Sequence, residues 1–280
     1  MADSDLAEPT AIVAFPRDLR QFLRPDRRSG LVSVRCDGVS SLGHVVESAG
    51  VPLTEVGELR VNGEPAATGH RPRDGDQIEV TSKPRPQPIE SPRFVLDVHL
   101  GTVARRLRLV GIDAAYGNDL DDDTLIDLAN ADRRVLLTQD RGLLRRRKLW
   151  LGAFVRGARP EEQFADVLDR FAPPLAPWTR CPACNGLLSH AAKTEVAPLL
   201  QPGTRRTYDS FARCADCGHV YWRGAHSQQL EAIVDTATQT LGRRAARLPL
   251  PVDRSQPASR HVSVVGKPAS RVLDCQPGGA

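Results

Sequence analysis

RFVLDVHLGTVARRLRLVG (93–111) and RRVLLTQDRGLLRRRK (133–148) decide how this chain is read. Each joins a short apolar, strand-like run to a helical pattern through an aspartate. Asp97 follows Phe94-Val95-Leu96, and Asp140 follows Val135-Leu136-Leu137-Thr138-Gln139. Between them, Asp119 and Asp121 to Asp123 stand just before a further helical run. A parallel sheet lines up the carboxyl ends of its strands along one edge, where ligands bind. Carboxylates delivered there repel one another unless a cation joins them, and oxygen-only ligands suit Mg²⁺ or Mn²⁺. From Asp97 to Lys148 there are nine aspartates, no glutamate and ten Lys or Arg. An acidic centre inside a basic rim is what a phosphodiester substrate requires, so the stretch points to a metal-dependent nuclease.

Outward from these runs, strands and helices alternate. Leu100, Val103, Ala104, Leu107 and Val110 form one apolar helical stripe, off which Arg105, Arg106 and Arg108 fall. Gly111 ends that helix, and Ile112 to Tyr116 reads as a second strand. Leu125, Ile126, Leu128 and Ala129 give the next helix its apolar face. Val135 to Thr138 is apolar enough to be a central parallel strand. Leu143 and Leu144 read as helical, Phe154 to Arg156 as a fourth strand, and 160–171 (PEEQFADVLDRF) as an amphipathic helix. The order predicts a three-layer α/β domain over 93–172.

Upstream, KPRPQPIESPR (83–93) holds four prolines and predicts a semi-rigid extended spacer. Before it, residues 11–82 read strand, strand, helix, strand, strand. Ser40 or Ser41 can cap the helix, Gly50 can end it, and Asn62-Gly63 signals a hairpin turn. This order resembles the ubiquitin-like β-grasp fold, and VNGEP and DGDQIEV resemble its sulfur-carrier (ThiS/MoaD-type) branch. Such carriers act through a C-terminal Gly-Gly, whereas here the last strand runs into the proline-rich spacer. A docking or substrate-positioning module, open to a protein partner, is therefore expected.

Downstream, Cys181-Pro-Ala-Cys184 and Cys214-Ala-Asp-Cys217 are separated by 29 residues. Two such pairs satisfy a closed tetrahedral Zn²⁺ site, structural rather than catalytic because it leaves no position for water. The segment 178–241 is expected to be a zinc ribbon with a loop at 195–208 and a trailing polar helix. Tyr221-Trp222-Arg223 is expected either to stack on a base or to pack on the ribbon, and 248–280 reads as a disordered tail. Cys36 and Cys275 are expected as unpaired thiols. The chain has 40% hydrophobic residues, enough for packed cores, and a net charge of +4, too small to specify a partner. Aromatics at 5% argue against a base-stacking platform. No apolar run approaches the roughly 20 residues that span a bilayer, and the first residues carry no apolar signal segment. Paired cysteines without such a signal suggest the cytoplasm.

The motifs RFVLDVHLGTVARRLRLVGIDAAY, DDDTLIDLA, RRVLLTQDRGLLRRR, EEQFADVLDRF, CPACNGLL and FARCADCGHVYWRGAH together resemble the Mut-seven C-terminal RNase family. That family is a branch of the PIN-like nucleases with a zinc ribbon, and some members carry a ubiquitin-like domain. The resemblance spans about residues 11–241 and implies RNA as substrate, with DNA as an alternative. It implies Asp97, Asp122 and Asp140 as the Mg²⁺- or Mn²⁺-binding catalytic carboxylates, with Asp119, Asp121 and Asp123 as alternatives to Asp122. Arg105, Arg106, Arg141 and Arg145 are the candidate phosphate contacts. Gln139 departs from the family's T-R-D-R pattern, which removes one cation beside the site. A second reading is a non-catalytic RNA-binding adaptor on the same scaffold.

Overall fold

A computed structural model describes residues 8–224 and 227–245. The expected disordered tail at 248–280, with Cys275, lies outside the described residues. The first domain contains β1 (Thr10–Ala14), β2 (Leu31–Arg35), α1 (Leu42–Ala49), β3 (Val56–Val61), β4 (Glu64–Pro65) and β5 (Gln77–Ser82). The sheet order is β2-β1-β5-β3-β4, with the terminal strands β1 and β5 parallel. This is the ubiquitin-like arrangement. Ser41 accepts the His44 amide at the start of α1, and Gly50 ends it in the left-handed conformation at φ 119°. Leu42, Val45, Val46 and Ala49 of α1 close over Val13, Val32, Leu59 and Ile78. One feature had no signal in the apolar pattern. β1 and β2 are joined not by a tight turn but by residues 15–30, with two 3₁₀ turns at Arg17–Phe22 and Pro25–Arg27.

The central domain contains β6 (Arg93–Leu96), α2 (Gly101–Leu109), β7 (Asp113–Tyr116), α3 (Asp122–Ala131), β8 (Val135–Thr138), β9 (Gly152–Phe154) and α4 (Pro160–Phe171). All four strands are parallel, in the order β7-β6-β8-β9. Strand order therefore reverses between β6 and β8. Leu100, Val103, Leu107, Phe164 and Leu168 fill one face of the sheet, and Leu125, Ile126 and Leu143 fill the other. Two expectations shift. The helix expected after β8 is a single 3₁₀ turn, Leu143–Arg145, and the fourth strand begins at Gly152 rather than Phe154. Gly152 lies so close under Leu144 and Leu149 that an added Cβ would stand 2.7 Å from each. A strand residue chosen for its lack of a side chain carries no hydrophobic signal.

The third part contains β10 (Leu188–Ala191), α5 (Lys193–Val196), α6 (Pro202–Thr207), β11 (Phe211–Cys214), β12 (Val220–Trp222) and α7 (Ser227–Ala245). Its three strands form an antiparallel sheet, β10-β11-β12. The expected loop at 195–208 contains short helices, because Val196 and Leu200 pack onto Ala191 and Phe211. The trailing helix α7 returns to the central domain, where Ala237 is fully buried and Ile233, Val234 and Leu241 pack against the same core.

The three parts are fastened by buried polar contacts. Glu55 and Arg170, each 2% exposed, pair between the first and central domains. The proline-rich spacer lies along the central domain: the Gln87 amide donates to the Arg170 carbonyl at 2.6 Å, and Arg85 pairs with Asp166 and Asp169. Arg108 does fall off the apolar stripe, yet it is buried and donates to the carbonyls of Ala114, Pro182 and Ala183. Burial draws this guanidinium below its ordinary pKa. At the same joint Gly111, at φ +86°, is required, since a Cβ would sit 2.0 Å from the Ala176 carbonyl oxygen.

Candidate functional site

Strand order reverses between β6 and β8, and in an open parallel sheet the carboxyl ends of the strands at such a reversal are the usual ligand position. Asp97 leaves β6 there and Asp140 follows β8. Asp97 is buried at 9% exposure. Its Oδ2 accepts the Thr138 hydroxyl at 2.6 Å, and the same Thr138 oxygen accepts the Asp140 amide at 2.8 Å. One hydroxyl thus ties the two aspartate-bearing strand ends together. Sequence reasoning counted Thr138 only as a strand residue. A hydroxyl closing an otherwise apolar run was the available signal.

Asp140 is more exposed, and its Oδ1 accepts the amides of Gly142 and Leu143 at 2.6 and 3.4 Å. Among the described residues no Lys, Arg or His pairs with either carboxylate. Behind Asp97, the Tyr116 hydroxyl donates to the Val98 carbonyl at 2.8 Å. Gly101 lies against this ring, where a Cβ would be 2.6 Å from the hydroxyl oxygen. The start of α2 therefore depends on glycine. Gln139 turns away to donate to the carbonyls of Val155 and Gly157 at 2.9 and 2.8 Å.

The acidic run at the head of α3 divides its tasks. Asp121 is the N-cap and accepts the Thr124 amide at 2.7 Å; this hydrogen bond holds its carboxyl below the ordinary range. Asp123 pairs with Arg146. Asp122 and Asp119 are exposed, and their carboxylates have no hydrogen-bond or ion-pair partner among the described residues. The three aspartates implied by the resemblance do not form a compact ligand group. Among the described residues, the only such group of three or more is the four cysteines.

The candidate arginines divide too. Arg105 is exposed on α2, while Arg106 pairs with Glu161. Arg141 donates to the carbonyls of Phe22 and Gln21 at 3.0 and 2.9 Å, and Arg145 to that of Gly50 at 2.6 Å. Both reach across to the first domain. Burial, then repulsion by Arg145 and Arg28, pulls Arg141 below its ordinary pKa.

The Sγ atoms of Cys181, Cys184, Cys214 and Cys217 all lie within 4.8 Å of one another, with 3.7 Å between Cys181 and Cys217 and 3.4 Å between Cys184 and Cys214. Zn–S bonds of about 2.3 Å in a tetrahedron put sulfurs about 3.8 Å apart, so the donor set is compatible with zinc. The two turns match. Asn185 and Gly218, each four residues after the first cysteine of its pair, adopt φ 76° and 75°. Tyr221 places its hydroxyl 3.0 Å from Cys181 Sγ, so it packs on the ribbon. Asn185 also reaches back to β7, accepting the Ala114 amide and donating to Asp113. Burial would raise the Asp113 carboxyl, but hydrogen bonds from Arg134 and Asn185 leave it below the ordinary range.

None of the described helices is long and apolar enough to cross a membrane. No curated protein and no solved structure matches the chain. Two family models do: the Mut7-C RNAse domain over residues 92–234 and the Mut7-C ubiquitin domain over residues 8–89. The first model covers more than half of the chain, from β6 through the four cysteines into α7, and the second covers the whole first domain. The chain therefore belongs to the Mut7-C RNAse domain family, with a Mut7-C ubiquitin domain preceding the RNase domain.

Proposed function

We propose that this protein is a metal-dependent ribonuclease whose reaction takes place between the carboxyl ends of β6 and β8. The observation that carries the reading is Asp97, a buried carboxylate with a hydroxyl partner but no cationic one among the described residues. Buried charges are normally paired or bound to metal, and the donor set is oxygen only, which fits Mg²⁺ or Mn²⁺. Asp97 and Asp140 would hold the ion, with Asp122 contributing from the head of α3. When bound, such an ion lowers the pKa of a coordinated water and stabilises the departing oxygen.

The chain's own groups supply the rest. Thr138 ties Asp97 Oδ2 to the Asp140 backbone, so the two strand ends that carry the aspartates are held to each other. The Gly142 and Leu143 amides orient the Asp140 side chain. The exposed Arg105 on α2, together with Arg141 and Arg145, supplies positive charge for phosphate oxygens. We assign Zn²⁺ to the four cysteines in a structural role, since all four positions are filled by sulfur.

The test is cleavage of end-labelled single-stranded and structured RNA with Mg²⁺ or Mn²⁺, comparing wild type with Asp97→Asn, Asp122→Asn and Asp140→Asn. Zinc content and thermal stability are measured on each, to separate lost chemistry from lost fold. Wild type is expected to cut and to stop with EDTA, while the Asp97 and Asp140 variants are inactive but zinc-replete. Binding without cleavage would establish the RNA-binding adaptor instead, and equal cleavage by the variants would remove these carboxylates from the chemistry.

A further inference from the structure

The segment joining β1 to β2 in the ubiquitin-like domain reads RDLRQFLRPDRR over 17–28, with five arginines and two aspartates. It is not a free loop. The Phe22 ring meets Phe154 edge-on at 5.0 Å, and Arg141 holds the carbonyls of Gln21 and Phe22 while its guanidinium lies 5.1 Å from the Phe22 ring centre. Arg145 holds the Gly50 carbonyl, and Asp18 pairs with Arg156 at 3.5 Å. These contacts seat the segment beside the turn that follows β8, which begins with Asp140.

The charges gathered at this seam are not balanced. Arg141 and Arg145 spend their hydrogen bonds on neutral carbonyls. Arg24 and Arg28 are exposed and, like those of Arg147 and Lys148, their side chains have no hydrogen-bond or ion-pair partner among the described residues. Arg28 lies close enough to Arg141 for the two charges to repel each other. A fold that assembles like charges from two domains without carboxylate partners fits a polyanion that spans both. Few aromatic side chains accompany them, so the recognition is of backbone phosphates rather than base faces.

We propose that the ubiquitin-like domain forms part of the RNA-binding surface, with Arg24 and Arg28 continuing the row of Arg141 and Arg145 so that a single RNA strand passing Asp140 is held by both domains. This rests on the ribonuclease reading above. It gives the first domain a direct part in substrate binding, whereas a docking module would act only through another protein.

The experiment measures binding of a fluorescein-labelled single-stranded oligoribonucleotide to the full chain by anisotropy, without divalent metal, across a series of KCl concentrations. The variants are Arg24→Gln/Arg28→Gln and Arg71→Gln/Arg73→Gln. The second pair lies on the exposed turn before β5, beside the start of β1 where Gly75 bonds Thr10, and thus at the opposite end of that strand from residues 15–30. Each lost phosphate contact to a single strand lowers the salt slope by about 0.7, so the first pair is expected to lower it by about 1.4 and to raise Kd about tenfold at moderate salt. The Arg71/Arg73 pair is expected to bind as wild type does. If wild type binds and the Arg24/Arg28 pair matches it in Kd and slope, the two-domain surface is wrong and the ribonuclease reading stands. If both pairs weaken binding equally, the effect is net charge and the surface is likewise wrong. If wild type does not bind RNA at all, both readings fall.

Discussion

Replacing Glu55 with alanine tests whether the ubiquitin-like and RNase domains unfold as one unit. Arg170 Nη1 lies 2.8 and 2.7 Å from the two Glu55 oxygens, and Glu55 Oε1 also accepts the Phe154 amide at 2.8 Å. Alanine leaves the guanidinium buried without a counter-charge. It would keep Gln87 Oε1 at 2.9 Å and the carbonyls of Thr54 and Phe154 at 3.3 and 3.5 Å, all neutral. Breaking a buried ion pair from one side costs about 3–5 kcal/mol, and the orphaned Phe154 amide adds about 1 or more. A total of about 4–6 kcal/mol in a unit of this size lowers Tm by roughly 10–20 °C. Replacing both partners, as Glu55→Leu/Arg170→Met, removes the unpaired charge and is expected to recover most of the loss. The assay is thermal and urea unfolding followed by circular dichroism and by tryptophan fluorescence. All three tryptophans, Trp150, Trp178 and Trp222, lie outside the ubiquitin-like domain. In wild type the two signals should coincide; in Glu55→Ala they should separate, because the first domain unfolds earlier. A loss below about 1 kcal/mol with coincident transitions would refute the claim that this pair couples the domains.

Four further outcomes follow from the same geometry. Thr138→Val keeps the shape but leaves Asp97 and the Asp140 amide without their shared partner; it is expected to cost about 1–3 kcal/mol in urea unfolding and to reduce RNA cleavage. Gly101→Ala drives a methyl into the Tyr116 ring and should cost about 1–3 kcal/mol by the same measure. Asp113→Asn weakens the tie between β7, Arg134 and the cysteine turns. Because the folded pKa of Asp113 lies below its ordinary 3.8, the advantage of wild type over the variant is full at neutral pH. It should shrink as pH falls below about 4, seen as converging Tm values. Finally, a strong chelator is expected to remove one zinc per chain and unfold the β10–β12 sheet, measured by metal analysis and loss of near-ultraviolet circular dichroism.

Much of this architecture was readable without coordinates because it rests on local signals. The 160–171 helix was bounded by its own Pro160 and amphipathic pattern, α1 by Ser41 and Gly50, and the hairpin by Asn62-Gly63. The two C-x-x-C pairs signalled that their four sulfurs would gather, and Asp97 and Asp140 stood out as acids closing apolar runs. These features depend on neighbours a few residues apart, which sequence order preserves.

What only the tertiary structure decided depends on partners far apart in the chain. The reversal of strand order between β6 and β8 puts Asp97 beside Thr138, 41 residues away. Arg170 reads as an ordinary charged helix residue until Glu55, 115 positions earlier, meets it in a buried pair. Arg141 and Arg145, candidate phosphate contacts in the sequence, reach the ubiquitin-like domain and donate to the carbonyls of residues 21, 22 and 50. A charged side chain in sequence shows that it must find a partner or water. Which one it finds is a property of the packed chain, since burial and long-range contact set the cost of leaving it unpaired.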